Sequence, residues 1–98
     1  MRFEWDEVKN HRNLRKHKIS FELAKMVFDD PHALSERERE VDSEERWQAV
    51  GLVAGSVTVI VAYTCREEDG EEVVRIVSAR KASRSERRAY EEGHWPLG

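Results

Sequence analysis

Cationic side chains gather in residues 73–90, near the C-terminal end of the chain. The stretch has five arginines and one lysine, which are Arg75, Arg80, Lys81, Arg84, Arg87 and Arg88. Arginine stays charged at working pH, and its planar guanidinium group matches the oxygens of a phosphate group. Tyr90 adds a phenol at the end of the stretch. These residue types predict a site for an anion or a phosphate group.

A strand that runs directly into a short helix would position these cations. Residues 73–79 are rich in β-branched side chains, which predicts a strand with at least one buried face. Ser83 is followed three residues later by Glu86. This is the spacing of a capping box, and it predicts a helix over residues 83–90. We therefore expect the cations at the end of a rigid strand and on the helix that follows it.

Two interpretations of these cations stay open. Basic residues on a last helix often form only a solvated face, and Arg84, Arg87 and Arg88 fit that interpretation as well as they fit a phosphate site. Arg75 and Arg80 differ, because an otherwise apolar strand has little structural use for them. We therefore expect a functional role for Arg75 and Arg80.

The N-terminal part of the sequence predicts a short strand over residues 2–5 and then a polar helix. Asp6 is a suitable N-cap for a helix over residues 7–17. The apolar face of that helix is thin. Its polar residues at helical spacing, which can share one face, are Lys9, Asn13, Lys16 and His17. The shared face is either solvated or part of a polar site.

A second helix and a set of strands complete the predicted fold. Ser20 can cap a helix over residues 21–28, and the apolar stripe of that helix is expected in the core. The stripe consists of Phe21, Ala24, Val27 and Phe28. Strands are predicted at residues 32–34, 47–53, 57–66 and 73–80, with a hairpin turn at residues 67–70. Residues 35–46 read as a loop with at most an edge strand, and residues 94–98 as a loose tail.

This order of elements predicts an α+β fold in a single domain of residues 1–98. Two N-terminal helices pack on one face of a twisted antiparallel sheet, and a C-terminal helix follows the last strand. The strongest strand, residues 57–66, is expected to pair with residues 73–80 through the intervening turn. Gly93 is expected to end the last helix.

Composition limits the classes of function. The chain has 98 residues and a net charge of −3, which fits one small domain and does not fit a generally basic nucleic-acid binder. Any phosphate binding must therefore be local. No apolar run approaches the ~20 residues of a membrane-spanning helix, and we expect no signal peptide. The single cysteine, Cys65, excludes an internal disulfide and fits a reducing cytoplasm.

The middle of the chain is acidic, and it lacks the patterns of cofactor sites. Residues 31–72 carry four basic and eleven acidic side chains, which suits a basic partner protein or only keeps the chain soluble. The four histidines have no recognised metal-binding spacing. A glycine-rich phosphate loop is also absent. We therefore expect no metal and no cofactor.

Several segments resemble the BrnT family, in the same order and over nearly the whole chain. They are FEWD at residues 3–6, NLRKHKISFELA at 13–24, VFDDP at 27–31, RW at 46–47 and RIVSARKASRSERRAYEEG at 75–93. BrnT proteins are toxins of bacterial type II toxin–antitoxin systems with a RelE-like fold. They are described as ribonucleases that halt translation. The resemblance implies a RelE-like sheet, RNA cleavage without a cofactor, and a BrnA-like antitoxin that binds DNA and represses the operon.

The implied reaction gives candidate roles to particular side chains. RNA cleavage needs a base for the 2′-hydroxyl group, cations for the charge that develops on the phosphate, and an acid for the leaving oxygen. The candidate cations are Arg66, Arg75 and Arg80. The candidate acid–base groups are His17, whose imidazole suits proton exchange near neutral pH, Glu86 and Tyr90. The candidate RNA-binding residues are Lys9, Lys16 and Arg84.

Two hypotheses of different classes follow. In the first, the chain is a cytoplasmic, metal-independent endoribonuclease toxin that contacts DNA only through its antitoxin. In the second, it is a non-catalytic domain of the same fold, which acts as partner and corepressor of the DNA-binding antitoxin. The resemblance favours the first hypothesis.

Overall fold

A computed structural model describes residues 1–41 and 44–95. One strand is followed by two helices, then by four strands and a last helix. Strand β1 is Arg2–Glu4, helix α1 is Glu7–His17, and helix α2 is Phe21–Ala24, continued by a 3₁₀ helix at Lys25–Asp29. Strands β2 (Leu34–Val41), β3 (Glu44–Val53), β4 (Val57–Glu68) and β5 (Glu71–Lys81) follow, and helix α3 is Arg84–Glu91.

The five strands form one sheet in the order β1-β5-β4-β3-β2. β4 and β5 pair antiparallel through the predicted turn, whereas the short β1 pairs with β5 in parallel. Asp69 and Gly70 have φ angles of 53° and 79°, which is the geometry of a type I′ hairpin turn. The α+β prediction is confirmed, with one parallel pair added to the antiparallel sheet.

Three predicted elements differ from the observed ones. Residues 35–46 were predicted as a loop with an edge strand; the edge strand is present as β2, which pairs antiparallel with β3 and takes up most of the predicted loop. The strand predicted at residues 32–34 is not formed as such, since β2 begins at Leu34. Glutamate and arginine alternate along β2, so the strand has no apolar face for a pattern to detect. The second helix is also shorter than predicted, since it tightens to 3₁₀ geometry after Ala24. Residues 42–43 and 96–98 of the predicted loop and tail lie outside the described residues.

The core lies between one face of the sheet and the two N-terminal helices. Phe21, Ala24 and Val27 are fully buried there, as predicted. Phe28 is partly buried, and its ring packs edge-on against Tyr63 with centroids 5.0 Å apart. Fully burying side chains of this size stabilises the fold by about 1.5–3 kcal/mol each. The predicted apolar stripe is therefore the contact between helix and sheet.

Gly51 of β3 lets the 3₁₀ helix approach the sheet. A Cβ atom at this position would lie 2.9 Å from Val27 Cγ1 and 3.2 Å from the Val27 carbonyl oxygen. Close approach of a backbone is a common reason for glycine inside a strand. Asp30, at the end of the 3₁₀ helix, accepts a hydrogen bond of 2.7 Å from the backbone N–H of Leu52.

A β-bulge decides which side chains of β5 face away from the helices. Tyr63 pairs with Ile76 and Ala62 pairs with Ser78, so Val77 is an extra residue in β5. In a regular strand, Arg75 and Arg80 would point to opposite faces. Because of the extra residue, both lie on the face opposite the core, which is called the open face here.

Candidate functional site

Helix α1 is attached to the free edge of β5 by a buried asparagine. β1 pairs only with residues 73–75 of β5, which leaves the later edge of that strand without a strand partner. Asn13 takes that place. Its Nδ2 donates to the carbonyl oxygen of Ala79 (2.8 Å), and its Oδ1 accepts from the N–H of Ala79 (3.1 Å). The polar face predicted for α1 is thus partly a docking surface.

Between α1 and β5 runs a cationic groove of about 240 Å³, called the α1–β5 groove here. It is lined by Lys9, Arg12, Asn13, Lys16 and His17 from α1, and by Val77 and Ser78 from β5. A smaller cavity of about 70 Å³ continues it onto the open face. His17 and Ser78 line both spaces, and Arg80 lines the second.

Arg80 is held at this junction by Glu86 of α3. The guanidinium group donates to both carboxylate oxygens of Glu86, at 2.8 and 3.0 Å. Glu86 is 8% exposed and also accepts from the N–H of Ser83, which completes the predicted capping box. The hydrogen bond from Arg80 lowers the pKa of Glu86 to about 2. Glu86 is therefore a carboxylate at neutral pH, and it fixes the orientation of Arg80.

The cations of α1 are not neutralised in the same way. Lys9, Arg12 and Lys16 are exposed, and none of them makes an ion pair with the side chains that the structure describes, those of residues 1–38 and 45–95. Arg80 and Glu86 cancel each other in charge. The groove therefore carries an excess of positive charge toward solvent, which favours an anionic ligand.

Arg66 and Arg75 lie elsewhere, in an ion-pair cluster at the other end of the open face. Arg66 donates to both oxygens of Glu4, at 2.9 and 3.0 Å, and Arg75 donates to Glu4 at 3.0 Å. These hydrogen bonds lower the pKa of Glu4 to about 2. Glu68 adds a second carboxylate 2.9 Å from Arg66. The arginine charges of this cluster are balanced.

Distance also separates this cluster from Arg80. Arg80 pairs with Ile60 of β4, and Arg66 lies six residues further along that strand. At ~3.3 Å per residue, the two backbone positions are about 20 Å apart. A single phosphodiester cannot contact both guanidinium groups.

Tyr90 occupies a third location. Its hydroxyl donates to the carboxylate of Asp30, which ties α3 to the end of the 3₁₀ helix. Burial, together with this hydrogen bond and the charge of Asp30, raises the pKa of Tyr90 to about 12. Tyr90 lines a separate cavity with Pro31 and His32. Arg84 is exposed at the first position of α3.

The structure thus brings together some of the residues named from the sequence and separates others. Lys9, Lys16, His17, Arg80 and Glu86 converge on the α1–β5 groove and its extension. Arg66, Arg75 and Tyr90 do not reach it.

The sequence and the fold are similar to those of known proteins. Residues 5–86 match the family model described as the ribonuclease toxin BrnT of type II toxin–antitoxin systems. The chain belongs to the BrnT family. The crystal structure of the Brucella abortus ribonuclease toxin BrnT has a similar fold, with a TM-score of 0.64 and 24% identity, over 86% of this chain and 99% of that one. No curated protein matches the sequence.

Two polar residues of the groove in this BrnT-family chain, and the apolar Val77, were not identified from its sequence. Arg12 is three residues after Lys9 and four before Lys16, so helical spacing was enough to include it. Ser78 carried no such signal, because the bulge at Val77 determines where it points. The sequence alone does not show a bulge.

Two further observations concern ligands and membranes. Within residues 1–41 and 44–95, no three histidine, cysteine, aspartate or glutamate side chains are grouped closely enough to hold a metal ion. No helix in the same residues has both the length and the apolar character needed to cross a membrane.

Proposed function

We propose that this BrnT-family chain is a metal-independent endoribonuclease that cleaves RNA where the α1–β5 groove meets the open face. By cleaving RNA it inhibits translation, and a DNA-binding antitoxin neutralises it. One observation carries the proposal: His17 and the fixed guanidinium group of Arg80 line one cavity, beside a groove of uncompensated cations. A general base and a preorganised cation are two of the components that RNA cleavage requires.

The proposed reaction is an attack of the 2′-hydroxyl on the adjacent phosphorus. The 2′-oxygen loses its proton, a bond forms to phosphorus, and the bond to the 5′-oxygen breaks as that oxygen takes up a proton. Two N–H groups of Arg80 bond to Glu86 and one bonds to the carbonyl oxygen of Lys81, so its other donors can stabilise the negative charge on the phosphate oxygens in the transition state. His17 takes the proton from the 2′-hydroxyl group as general base. A water molecule gives a proton to the 5′-oxygen and regains one from His17. The products are a 2′,3′-cyclic phosphate and a 5′-hydroxyl group.

The geometry changes the roles proposed for four other candidates. Glu86, with a pKa of about 2, is a poor proton carrier and acts as a positioning residue for Arg80. Tyr90 has its hydroxyl bound to Asp30 and a pKa of about 12, so we assign it to holding α3. Arg66 and Arg75 hold Glu4 of β1, and we place them outside the reacting site.

Matched arginine variants test the proposal. We expect Arg80→Ala to lower the rate of RNA cleavage by about 10²–10³, the usual effect of losing one preorganised charge stabiliser. Arg84→Ala and Arg66→Ala should lower it far less, because Arg84 is exposed on α3 and Arg66 is distant. The measurement is cleavage of labelled RNA by purified protein, in the presence of a metal chelator. Equal losses from all three variants, with folding intact by circular dichroism, would refute the site.

The same measurements separate the alternative function. A non-catalytic corepressor would leave RNA intact during induced expression and would not slow growth. It would instead increase the affinity of the antitoxin for operator DNA. Wild-type protein that cleaves no RNA but tightens this DNA binding would establish the alternative.

A further inference from the structure

Three cations on one face of α1 lie apart from the residues proposed to react. Lys9, Arg12 and Lys16 are separated by three and four residues, so they lie side by side along the helix. All three line the α1–β5 groove opposite Val77 and Ser78. His17 and Arg80 lie at the far end of this row.

Helix stability accounts for only part of this row. Lys16 lies in the last turn of α1, where the helix dipole favours positive charge. Lys9 lies in the first turn, where positive charge is unfavourable, although the charge of Asp6 acts on it. Arg12 has a like charge three residues before it and another four residues after it, and each such pair destabilises a helix by about 0.2–0.5 kcal/mol. Arg12 between two like charges is therefore unfavourable for the helix by itself, and the three cations together favour an anionic ligand.

The size of the groove indicates the kind of anion. With a rise of ~1.5 Å per residue, Lys9 and Lys16 are about 10 Å apart along α1. Three cations along this length can each neutralise one backbone phosphate, which corresponds to about three nucleotides. The groove volume of about 240 Å³ is less than the ~300 Å³ at which pockets for drug-sized ligands start. The groove therefore has room for one sugar–phosphate backbone and not for the full width of a duplex.

We infer that Lys9, Arg12 and Lys16 form a subsite for the phosphates of about three nucleotides of single-stranded RNA, on one side of the cleaved bond. The inference rests on the proposed function, and it names the substrate class: single-stranded RNA that extends beyond the scissile phosphate. The row binds phosphate and does not react. Its effect is on substrate affinity and on the dependence of that affinity on salt.

The test compares substrates of two lengths and two sets of variants. Cleavage sites are first mapped on a long RNA. Synthetic oligonucleotides then carry one mapped site, either as a dinucleotide or with four nucleotides on each side. The double variant Lys9→Ala/Arg12→Ala removes two cations of the row. Arg15→Ala is the matched control, because Arg15 is an exposed cation of the same helix that lines a different surface with His11 and Leu14.

We expect the double variant to reduce the ratio of kcat/KM between the long and the short oligonucleotide, through a higher KM for the long one. It should also make the slope of log K against log salt shallower by about 1.4, because each phosphate that a cation neutralises on a single strand accounts for about 0.7 of that slope. Arg15→Ala should change neither quantity. An unchanged ratio, or an equal effect from Arg15→Ala, would overturn the subsite.

Equilibrium binding of an uncleavable 2′-O-methyl oligonucleotide separates the subsite from the proposed function. The wild-type protein could cleave no RNA and still bind this oligonucleotide with a steeper salt dependence than the double variant does. In that case the subsite stands and the ribonuclease proposal fails. If the double variant loses affinity for the antitoxin alone, with RNA binding unchanged, the groove is a protein-binding surface and the inference is wrong.

Discussion

At the scale of single residues, the charge of Glu86 controls the position of Arg80. The carboxylate is almost fully buried, and Arg80 and the N–H of Ser83 both donate to it. Removing the charge leaves the guanidinium group without its anchor. Loss of this charge should affect both stability and the proposed catalysis. The pair of Arg80 and Glu86 connects β5 to α3, and it also fixes Arg80 beside the cavity.

The pH dependence of stability tests this ion pair. The pKa of Glu86 falls from 4.5 to about 2, first because of the hydrogen bond from Arg80. A carboxylate whose pKa is lowered in the folded protein stabilises the fold fully at pH values above its ordinary pKa. This stabilisation is lost as the pH falls toward the lowered pKa. We expect Glu86→Gln to lower the free energy of unfolding by about 1–3 kcal/mol at neutral pH.

The difference in free energy of unfolding between Glu86→Gln and the wild type should become smaller as the pH falls from 4.5 to about 2. Urea unfolding followed by circular dichroism at both ends of this window measures it. Glu91→Gln, at an exposed position of the same helix, is the control and should have little effect. A destabilisation that is equal at all pH values would show that the charge of Glu86 does not contribute.

At the scale of elements, the attachment of α1 depends on hydrogen bonds more than on apolar contact. Val8 and Leu14 of α1 are 62% and 45% exposed, so the helix buries little apolar surface through them. Asn10 accepts from the N–H of Phe21 at 2.8 Å, and Asn13 pairs with Ala79. The two asparagines hold the helix that carries the cationic row.

Asn13→Ala should therefore detach α1 from β5. It leaves the N–H and carbonyl groups of Ala79 without a partner, and each unsatisfied buried group costs about 1–3 kcal/mol. We expect a loss of about 2–4 kcal/mol in the free energy of unfolding, measured by urea titration. Leu14→Ala is the neighbouring control and should cost less, since Leu14 is half-exposed. If both variants unfold at the same urea concentration, hydrogen bonds do not hold α1.

At the scale of the whole molecule, charge is divided between two regions. The α1–β5 groove is basic, while Glu36 and Glu38 of the edge strand β2 line a cavity of about 250 Å³ with Arg37, Gln48 and Trp95. Gln48 also lines the cavity that contains His17 and Arg80, so the two regions are neighbours. A DNA-binding antitoxin must carry positive charge, which the two glutamates complement.

Charge reversal tests this complementarity. Glu36→Lys/Glu38→Lys should slow association with the antitoxin and flatten its salt dependence, because rim charges act mainly on the association rate. RNA cleavage by the free protein should change much less, because neither glutamate lines the cavity with His17 and Arg80. Stopped-flow association at several salt concentrations measures the effect, and Glu92→Lys on the exposed C-cap of α3 is the control. If the association rate does not change, the acidic residues of β2 serve only solubility.

The sequence by itself determined the elements with strong local signals. The capping box of Ser83 and Glu86 predicted α3, and alternating apolar residues with an Asp-Gly turn predicted the β4–β5 pair. The stripe from Phe21 to Phe28 predicted the core-facing helix. The cations Lys9, Lys16 and Arg80 were also identified, because residue type and helical spacing are local properties. Local patterns failed for β2, because charged residues occupy both of its faces.

Only the tertiary structure decided which charged residues act together. The bulge at Val77 turns Arg75 and Arg80 to the same face, yet pairing with β4 keeps Arg66 and Arg80 about 20 Å apart. Long-range contacts also neutralise some cations and leave others in excess: Glu4 meets Arg66 and Arg75 from 62 and 71 residues away. Asn13 reaches Ala79 across 66 residues. Such partners depend on how the chain folds back on itself, and local sequence spacing carries no information about them.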